Sequence, residues 1–286
     1  MDKELYLARI GHRGPVRPDL ECLEALCRAH LQSVPFENLD IHLGVTLKLD
    51  EASLFRKIVR RGRGGFCYEL NGLFAWLLRE VGFSVELLSS RVLRKSRVGS
   101  DFDHLALRVW CAGKPYLVDV GFGDGSTMPL PLVAGAVRSD SEASYRLRSF
   151  GDELLYQVET VDGETKGYEL SLIPRQMAEF APMCRHHQTS ARSWFTNARI
   201  CVLRTDSGTV SLIDGVYKFA GGTVTSVGSD GDYLTTLRDV FGVDLPRMPR
   251  NKSESALQKL RNQGLVWQSR ARRALAKAGQ LSPLPQ

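Results

Sequence analysis

Long apolar runs, paired cysteines and an export-like leader are all missing from this 286-residue sequence. The longest apolar run, Leu73 to Leu78, falls far short of the roughly 20 residues that cross a bilayer. The opening Met1-Asp2-Lys3-Glu4 has no hydrophobic segment behind a basic stretch. A cytoplasmic location without a membrane partner is therefore expected. Six cysteines (Cys22, Cys27, Cys67, Cys111, Cys184, Cys201) form no CxxC pair and no metal-ligand spacing, which argues against zinc, or any other metal, and against structural disulfides. Most of them should act as small buried hydrophobes. Internal repeats and low-complexity tracts are also lacking.

What remains is an ordinary globular composition, 43% hydrophobic and 24% charged, long enough to bury a sizeable core. The net charge of +6 is uneven, because residues 247–277 hold nine Lys or Arg against one acid, Glu254. Such a tail could attract a polyanion. Trp267 is alone there, however, without the interleaved aromatics that stack on bases, so a solvated surface helix and no nucleic-acid partner are expected.

Apolar residues at spacings of three and four predict helices over Pro18 to Leu31 and Tyr68 to Val81, the second burying one face and ending before Gly82. From about Ser84 to Val158 the pattern shifts to short alternating runs rich in Val, Leu and Tyr, which predict a sheet or small barrel. His104 to Trp110 and Pro115 to Val120 flank Ala112-Gly113 and predict a hairpin with a two-residue turn. Strands near Ala198 to Arg204, Thr209 to Leu212 and Val216 to Phe219, then a helix over Tyr233 to Phe241, make the last third mixed.

Cys67 follows a glycine pair and opens the Tyr68 to Val81 helix. Glycines allow close backbone approach, and the unpaired N–H groups and positive dipole end of a helix start favour thiolate, so a depressed pKa is expected. Alone, the segment fits a nucleophile and a buried structural cysteine about equally. A nucleophile needs a base, and the base needs an orienting group. If Cys111 and Lys114 flank the hairpin turn, Asp119 falls opposite Ala106, with His104 diagonal to it on the same face and within hydrogen-bonding reach. His12, His30, His42 and the pair His186-His187 lack a matched carboxylate or ligand spacing and are given no catalytic role. Gly121-Phe122-Gly123-Asp124-Gly125-Ser126 has the backbone freedom to cradle a pyrophosphate, although glycine-rich turns are common.

Five segments, in order, resemble the arylamine N-acetyltransferase family: Tyr6-Leu-Ala-Arg-Ile-Gly11, Val34-Pro-Phe-Glu-Asn-Leu-Asp40, Arg63-Gly-Gly-Phe-Cys-Tyr-Glu-Leu-Asn71, His104-Leu-Ala-Leu107 and Asp119-Val-Gly-Phe-Gly123. The resemblance covers nearly the whole chain and fades beyond about Leu245. It implies an α+β fold: an N-terminal helical bundle (1–84) with the nucleophile, a central β-barrel (85–195) with His and Asp, and a C-terminal α/β lid (196–286) ending in the basic tail. It further implies a Cys67-His104-Asp119 triad of cysteine-protease type. Acetyl-CoA would serve as co-substrate, bound around Gly121, Gly123, Asp124, Gly125 and Ser126. Ping-pong acetylation of an aromatic amine or hydrazine, and O-acetylation of N-hydroxyarylamines, would proceed through an acetyl-cysteine. Phe36 and Phe122 would line an apolar wall for the substrate, or serve only as core. Glu37 and Arg63 resemble a buried ion pair that fixes the loop before Cys67. Asp103 departs from the small hydroxyl residue often found before the family's histidine, and would place an acid near incoming CoA phosphates.

Three rivals stand beside this expectation. A papain- or transglutaminase-like hydrolase uses the same three residue types. An amide synthase of the same fold would take a carrier-bound acyl chain. A basic binding protein would need no triad at all. The acceptor amine, the acyl-chain preference and the choice between monomer and homodimer lie beyond the sequence.

Overall fold

The computed structural model describes residues 1–94, 97–161, 163–219 and 222–250, so the basic tail past Arg250 lies outside the described residues. Helices α1 (Lys3–Arg9), α2 (Leu20–Ser33), α3 (Leu39–Leu43), α4 (Glu51–Phe55) and α5 (Cys67–Val81) build the N-terminal part, with a two-residue strand β1 (Phe36–Glu37) among them. Asp19 caps α2 by accepting from the Cys22 N–H at 2.9 Å, which sets the helix start just after Pro18. The periodicity of α5 suggests one buried face, yet every residue from Cys67 to Leu78 is buried. The reason is its position, since its apolar stripe joins Tyr6, Leu54 and Phe55 in one core while the same core takes in Leu105, Leu107 and Val118 of the barrel. Its polar residues Glu69 and Asn71 must therefore find partners inside the protein.

Strands β2 (Ser84–Arg94), β3 (Arg97–Val98), β4 (His104–Cys111), β5 (Lys114–Val118), β6 (Leu130–Pro131), β7 (Val137–Ser139), β8 (Ala143–Phe150), β9 (Glu153–Thr160) and β10 (Thr165–Arg175) follow. All the pairings are antiparallel, in the order β6-β5-β4-β2-β10-β9-β8-β7, with β3 beside β2; the result is a nearly closed eight-stranded barrel. Its interior is a separate core of Leu88, Ala106, Leu117, Tyr145, Leu147, Tyr156, Tyr168 and neighbours. A short 3-10 turn (Met177–Phe180) leads into α6 (Ala181–Thr189) and α7 (Trp194–Asn197).

The remainder forms strands β11 (Ile200–Thr205), β12 (Gly208–Ile213), β13 (Val216–Lys218) and β14 (Val224–Ser226), with helix α8 (Asp230–Phe241) packed on them. Strand β1 joins this sheet at its edge, Phe36 opposite Val202 and Glu37 opposite Cys201, so the helical segment is stitched to the last third of the chain. Two residues carry no periodicity, which is why the sequence does not betray β1. Among the described residues no helix is long and apolar enough to cross a membrane.

The hairpin register is the one expected. Cys111 pairs with Lys114, Val109 with Tyr116 and Leu107 with Val118, while Ala112 and Gly113 both have positive φ (48° and 75°). A turn of this kind suits Asn-Gly better than Ala-Gly, because a left-handed non-glycine residue without a polar side chain is strained by about 1 kcal/mol. Ala112→Asn should thus stabilise the protein by roughly 0.5–1 kcal/mol and raise its melting temperature by about 2 °C in a thermal melt. A lowered melting temperature would show that the Ala112 methyl makes a contact that matters more.

Candidate active site

Cys67 is the first residue of α5 and only 3% exposed. A tight turn brings the chain there: a Cβ on Gly64 would run into the Pro35 carbonyl oxygen, and one on Gly121 would stand 2.8 Å from the Cys67 Cα. Only glycine lets the loop after β5 press against the start of α5. Burial pushes the Cys67 thiol well above its ordinary value; the Asp119 carboxylate adds to the rise, and the Leu105 backbone N–H opposes it. The depressed pKa expected from a helix start is thus not what the resting site provides. Half a unit of dipole charge cannot offset full desolvation of a thiolate.

His104, on the first residue of β4, lies with Nε2 2.7 Å from Asp119 Oδ2. Both side chains are buried. Asp119 follows β5 rather than pairing within it. Four donors satisfy its carboxylate. Oδ2 also accepts from Tyr168 Oη at 2.9 Å, and Oδ1 from Asn71 Nδ2 at 2.8 Å and from the Gly121 N–H at 2.9 Å. Burial alone would raise this carboxyl, but the charge and hydrogen bond of His104, with those from Asn71 and Gly121, hold it below the ordinary carboxylate value.

Asn71 stands one helical turn after Cys67 and uses all of its amide, donating also to the Leu105 carbonyl at 2.6 Å and accepting from the Val120 N–H at 2.9 Å. It joins the helix of Cys67 to Asp119 and to the backbone just after His104 and Asp119. Neither Asn71 nor Tyr168 is singled out by the sequence; the i, i+4 relation of Cys67 and Asn71 on one helix is the available signal.

The other expected site residues are more dispersed. Phe122 packs edge-on to His104 (ring centroids 5.4 Å) and to Tyr168 (5.1 Å) in the barrel core. Phe36 packs with Phe195 (6.2 Å) against the helical core. In the glycine loop, the Gly121 N–H is taken by Asp119, the Ser126 N–H donates to the Tyr156 hydroxyl oxygen at 3.0 Å, and Asp124 pairs with Lys166. Ser126 Oγ donates to the Met128 carbonyl. Gly123 has φ of 78°, and Gly125 lies over Phe122 and Tyr156.

Comparison with known proteins gives the chain a family. The profile of the N-acetyltransferase family matches residues 19–249. The chain belongs to the arylamine N-acetyltransferase family. It is 36% identical over 235 residues to the pineal gland isozyme NAT-3 of Gallus gallus, covering 74% of this chain and 81% of that one. It is also 36% identical over 256 residues to the arylamine N-acetyltransferase of Mycolicibacterium smegmatis, covering 86% and 93%. The solved structure of the Mycobacterium marinum arylamine N-acetyltransferase in complex with CoA superposes with a TM-score of 0.78 at 33% identity, over 85% of this chain and 93% of that one. An acyltransferase of this family, with the same mixed helix and barrel fold, is what the chain encodes.

Behind the Cys67 loop lies a cluster of five charges. Arg63 Nη2 is 2.7 Å from Glu37 Oε1 and 2.8 Å from Asp40 Oδ1; Lys57 Nζ is 2.8 Å from Glu69 Oε1 and 3.0 Å from Asp40 Oδ2. The Glu37–Arg63 pair therefore exists, as part of a larger set. Lys57 lies in a π-helical turn (Arg56–Arg60), whose extra residue per turn the sequence does not announce. Glu37 also accepts from the Leu39 N–H at 2.7 Å, and Glu69 from the Phe66 N–H at 3.2 Å, capping the helix of Cys67. Asp103 is likewise buried and paired, with Arg94 at 2.7 Å and His187 at 3.2 Å. Its charge is neutralised inside the protein, which removes the expected repulsion of CoA phosphates.

Arg63→Ala would leave Glu37 and Asp40 short of a cation and should cost roughly 3–5 kcal/mol, lowering the melting temperature by about 10 °C. A melt shifted by under about 2 °C would refute a buried-pair role. Three carboxylates share two cations here, and burial, moderated by the charge of Lys57, pushes the Glu69 carboxyl up to about 7. A raised carboxyl favours the fold below its unfolded value, and that stability is lost as pH rises through about 7. Glu69→Gln keeps an acceptor for the Phe66 N–H without titrating. The stability advantage of the native chain over this variant should therefore shrink between about pH 5 and about pH 8 in paired melts.

Proposed function

We propose that this enzyme moves an acetyl group from acetyl-CoA to an aromatic amine or hydrazine, and to the oxygen of N-hydroxyarylamines, by way of a thioester on Cys67. The observation that carries it is the buried His104–Asp119 pair, joined through Asn71 to the helix that the buried Cys67 opens. Asp119 engages Nε2, which leaves Nδ1 of His104 as the nitrogen for the Cys67 proton. Because burial keeps the resting thiol neutral, the proton passes from Sγ to His104 as sulfur attacks the acetyl carbonyl, and the Asp119 carboxylate stabilises the imidazolium.

Collapse of the tetrahedral adduct breaks the bond to the CoA sulfur, which leaves with the proton from His104. The acceptor amine then attacks acetyl-Cys67, gives its proton to His104, and Cys67 departs to be reprotonated. Phe36 and Phe122 supply apolar surface for the flat acceptor. Of the glycine loop, Gly123 and Gly125 are the members we assign to CoA, since the N–H groups of Gly121, Asp124 and Ser126 already bond Asp119, the Phe122 carbonyl and Tyr156. This narrows the loop's part in binding.

Intact-protein mass spectrometry after incubation with acetyl-CoA alone should show one acetyl group on the native chain and none on Cys67→Ala, with discharge on adding an arylamine. No adduct on a native chain whose Cys67 still alkylates would favour a carrier-bound acyl donor and defeat the acetyl-CoA assignment. Release of free acetate at the same rate with and without amine would favour a hydrolase.

A further inference from the structure

Asp103 and His187 form a second carboxylate-imidazole contact one residue away from His104, and the proposed chemistry makes no use of it. His187 Nε2 stands 3.2 Å from Asp103 Oδ1, within ion-pair reach, while its Nδ1 lies 3.0 Å from Ser193 Oγ. Ring and carboxylate are both excluded from water, His187 and Asp103 being 3% and 6% exposed. Arg94 completes the set, with Nη1 2.7 Å from Oδ2 and Nη2 3.2 Å from Oδ1. The pocket is shaped for it, because a Cβ on Gly99 would overlap the Asp103 carboxylate.

What makes the contact more than packing is where its ends are fixed. His187 belongs to α6, and its ring lies nearly parallel to Tyr68, the residue after Cys67 (27°, centroids 6.1 Å). The Tyr68 hydroxyl in turn donates to the carbonyls of Phe102 and Asp103, at 2.7 and 3.2 Å. Phe195 of α7 meets the other side of His187 edge-on (5.1 Å), and also meets Phe66 (5.4 Å) and Phe36. One imidazole therefore meets the neighbour of the nucleophile, the neighbour of the base and Phe195, which packs on Phe36.

We propose that His187 is a positioning residue for acyl transfer: bridging Asp103 and Ser193, it fixes the start of β4, and so His104, relative to Cys67. The role rests on Cys67 being the acyl carrier and His104 its base. His187 itself contacts neither reacting atom. A shift of His104 of about 1 Å would suffice to slow proton transfer by roughly tenfold to a hundredfold.

The experiment compares native chain, His187→Leu, His187→Gln, Asp103→Asn and the double variant His187→Leu/Asp103→Asn. The readouts are the rate of Cys67 alkylation by iodoacetamide, kcat and KM for an arylamine, and the melting temperature. His187→Leu should slow alkylation and lower kcat by roughly tenfold or more, with acceptor KM unchanged. His187→Gln, which keeps polar atoms facing Asp103 and Ser193, should restore most of both even if the melting temperature of the two variants is equal. The double variant should lose no more than the worse single one, since both break one link. Alkylation and kcat within about twofold of native in His187→Leu, or losses in Leu and Gln alike that follow the melting temperature, would overturn the positioning role. An inert Cys67 in the native chain would instead undo the nucleophile assignment on which this role depends.

Discussion

A single buried carboxylate, that of Asp119, dictates how the candidate site is assembled. Taking a carboxylate out of water costs several kcal/mol unless its lone pairs are met by donors. The four donors to Asp119 come from four places in the chain: His104 at the start of β4, Asn71 on α5, the Gly121 backbone, and Tyr168 on β10. None can be displaced without stranding negative charge in the core. The barrel, the hairpin loop and the helix of Cys67 are thereby held to one geometry by the same group whose charge would steady an imidazolium.

The same accounting explains the direction in which the Cys67 thiol is pushed. The site is dry, and a lone thiolate beside the Asp119 charge is unfavourable, as burial and that charge both raise the thiol. In the proposed chemistry the charge that appears on sulfur is matched at once by charge on His104, which Asp119 already favours. Ion-pair formation during the reaction then costs less than either charge would alone. The five charges around Lys57 and Arg63 serve a different end. They lie behind the loop, bonded to the backbone at Leu39 and Phe66, and they fix the entry into α5.

Several of these features are legible in the residue pattern alone. The hairpin arithmetic places His104 near Asp119 because a two-residue turn leaves one register, and the pairs Cys111–Lys114 and Leu107–Val118 follow it. The helix of Cys67 declares itself by its apolar spacing. Its second buried face does not, because Gly72 and Ala75 read as neutral and Glu69 and Asn71 as solvent-facing until the barrel packs against them. Strand β1 is too short to have a period, and Lys57 lies in a π turn that has no sequence signature of its own. Tyr168 reaches Asp119 from 49 residues away, a relation that exists only once β10 pairs with β2.

Asp103 shows how a residue that looks unfavourable in a sequence can be neutral or better in the fold. An acid at this position would, unpaired and buried, cost several kcal/mol. Here it is met by Arg94, by His187 and by the space over Gly99. Burial alone would raise its carboxyl, yet the approach of His187 and Arg94 outweighs burial and holds it at about 2. The carboxylate stays charged across the neutral range. Two residues from separate stretches of chain, Arg94 and His187, are thus tied to the one before His104, and altering Asp103 would unpair both. A substitution of Asp103 by a small hydroxyl residue would therefore take from Arg94 and His187 the carboxylate they share.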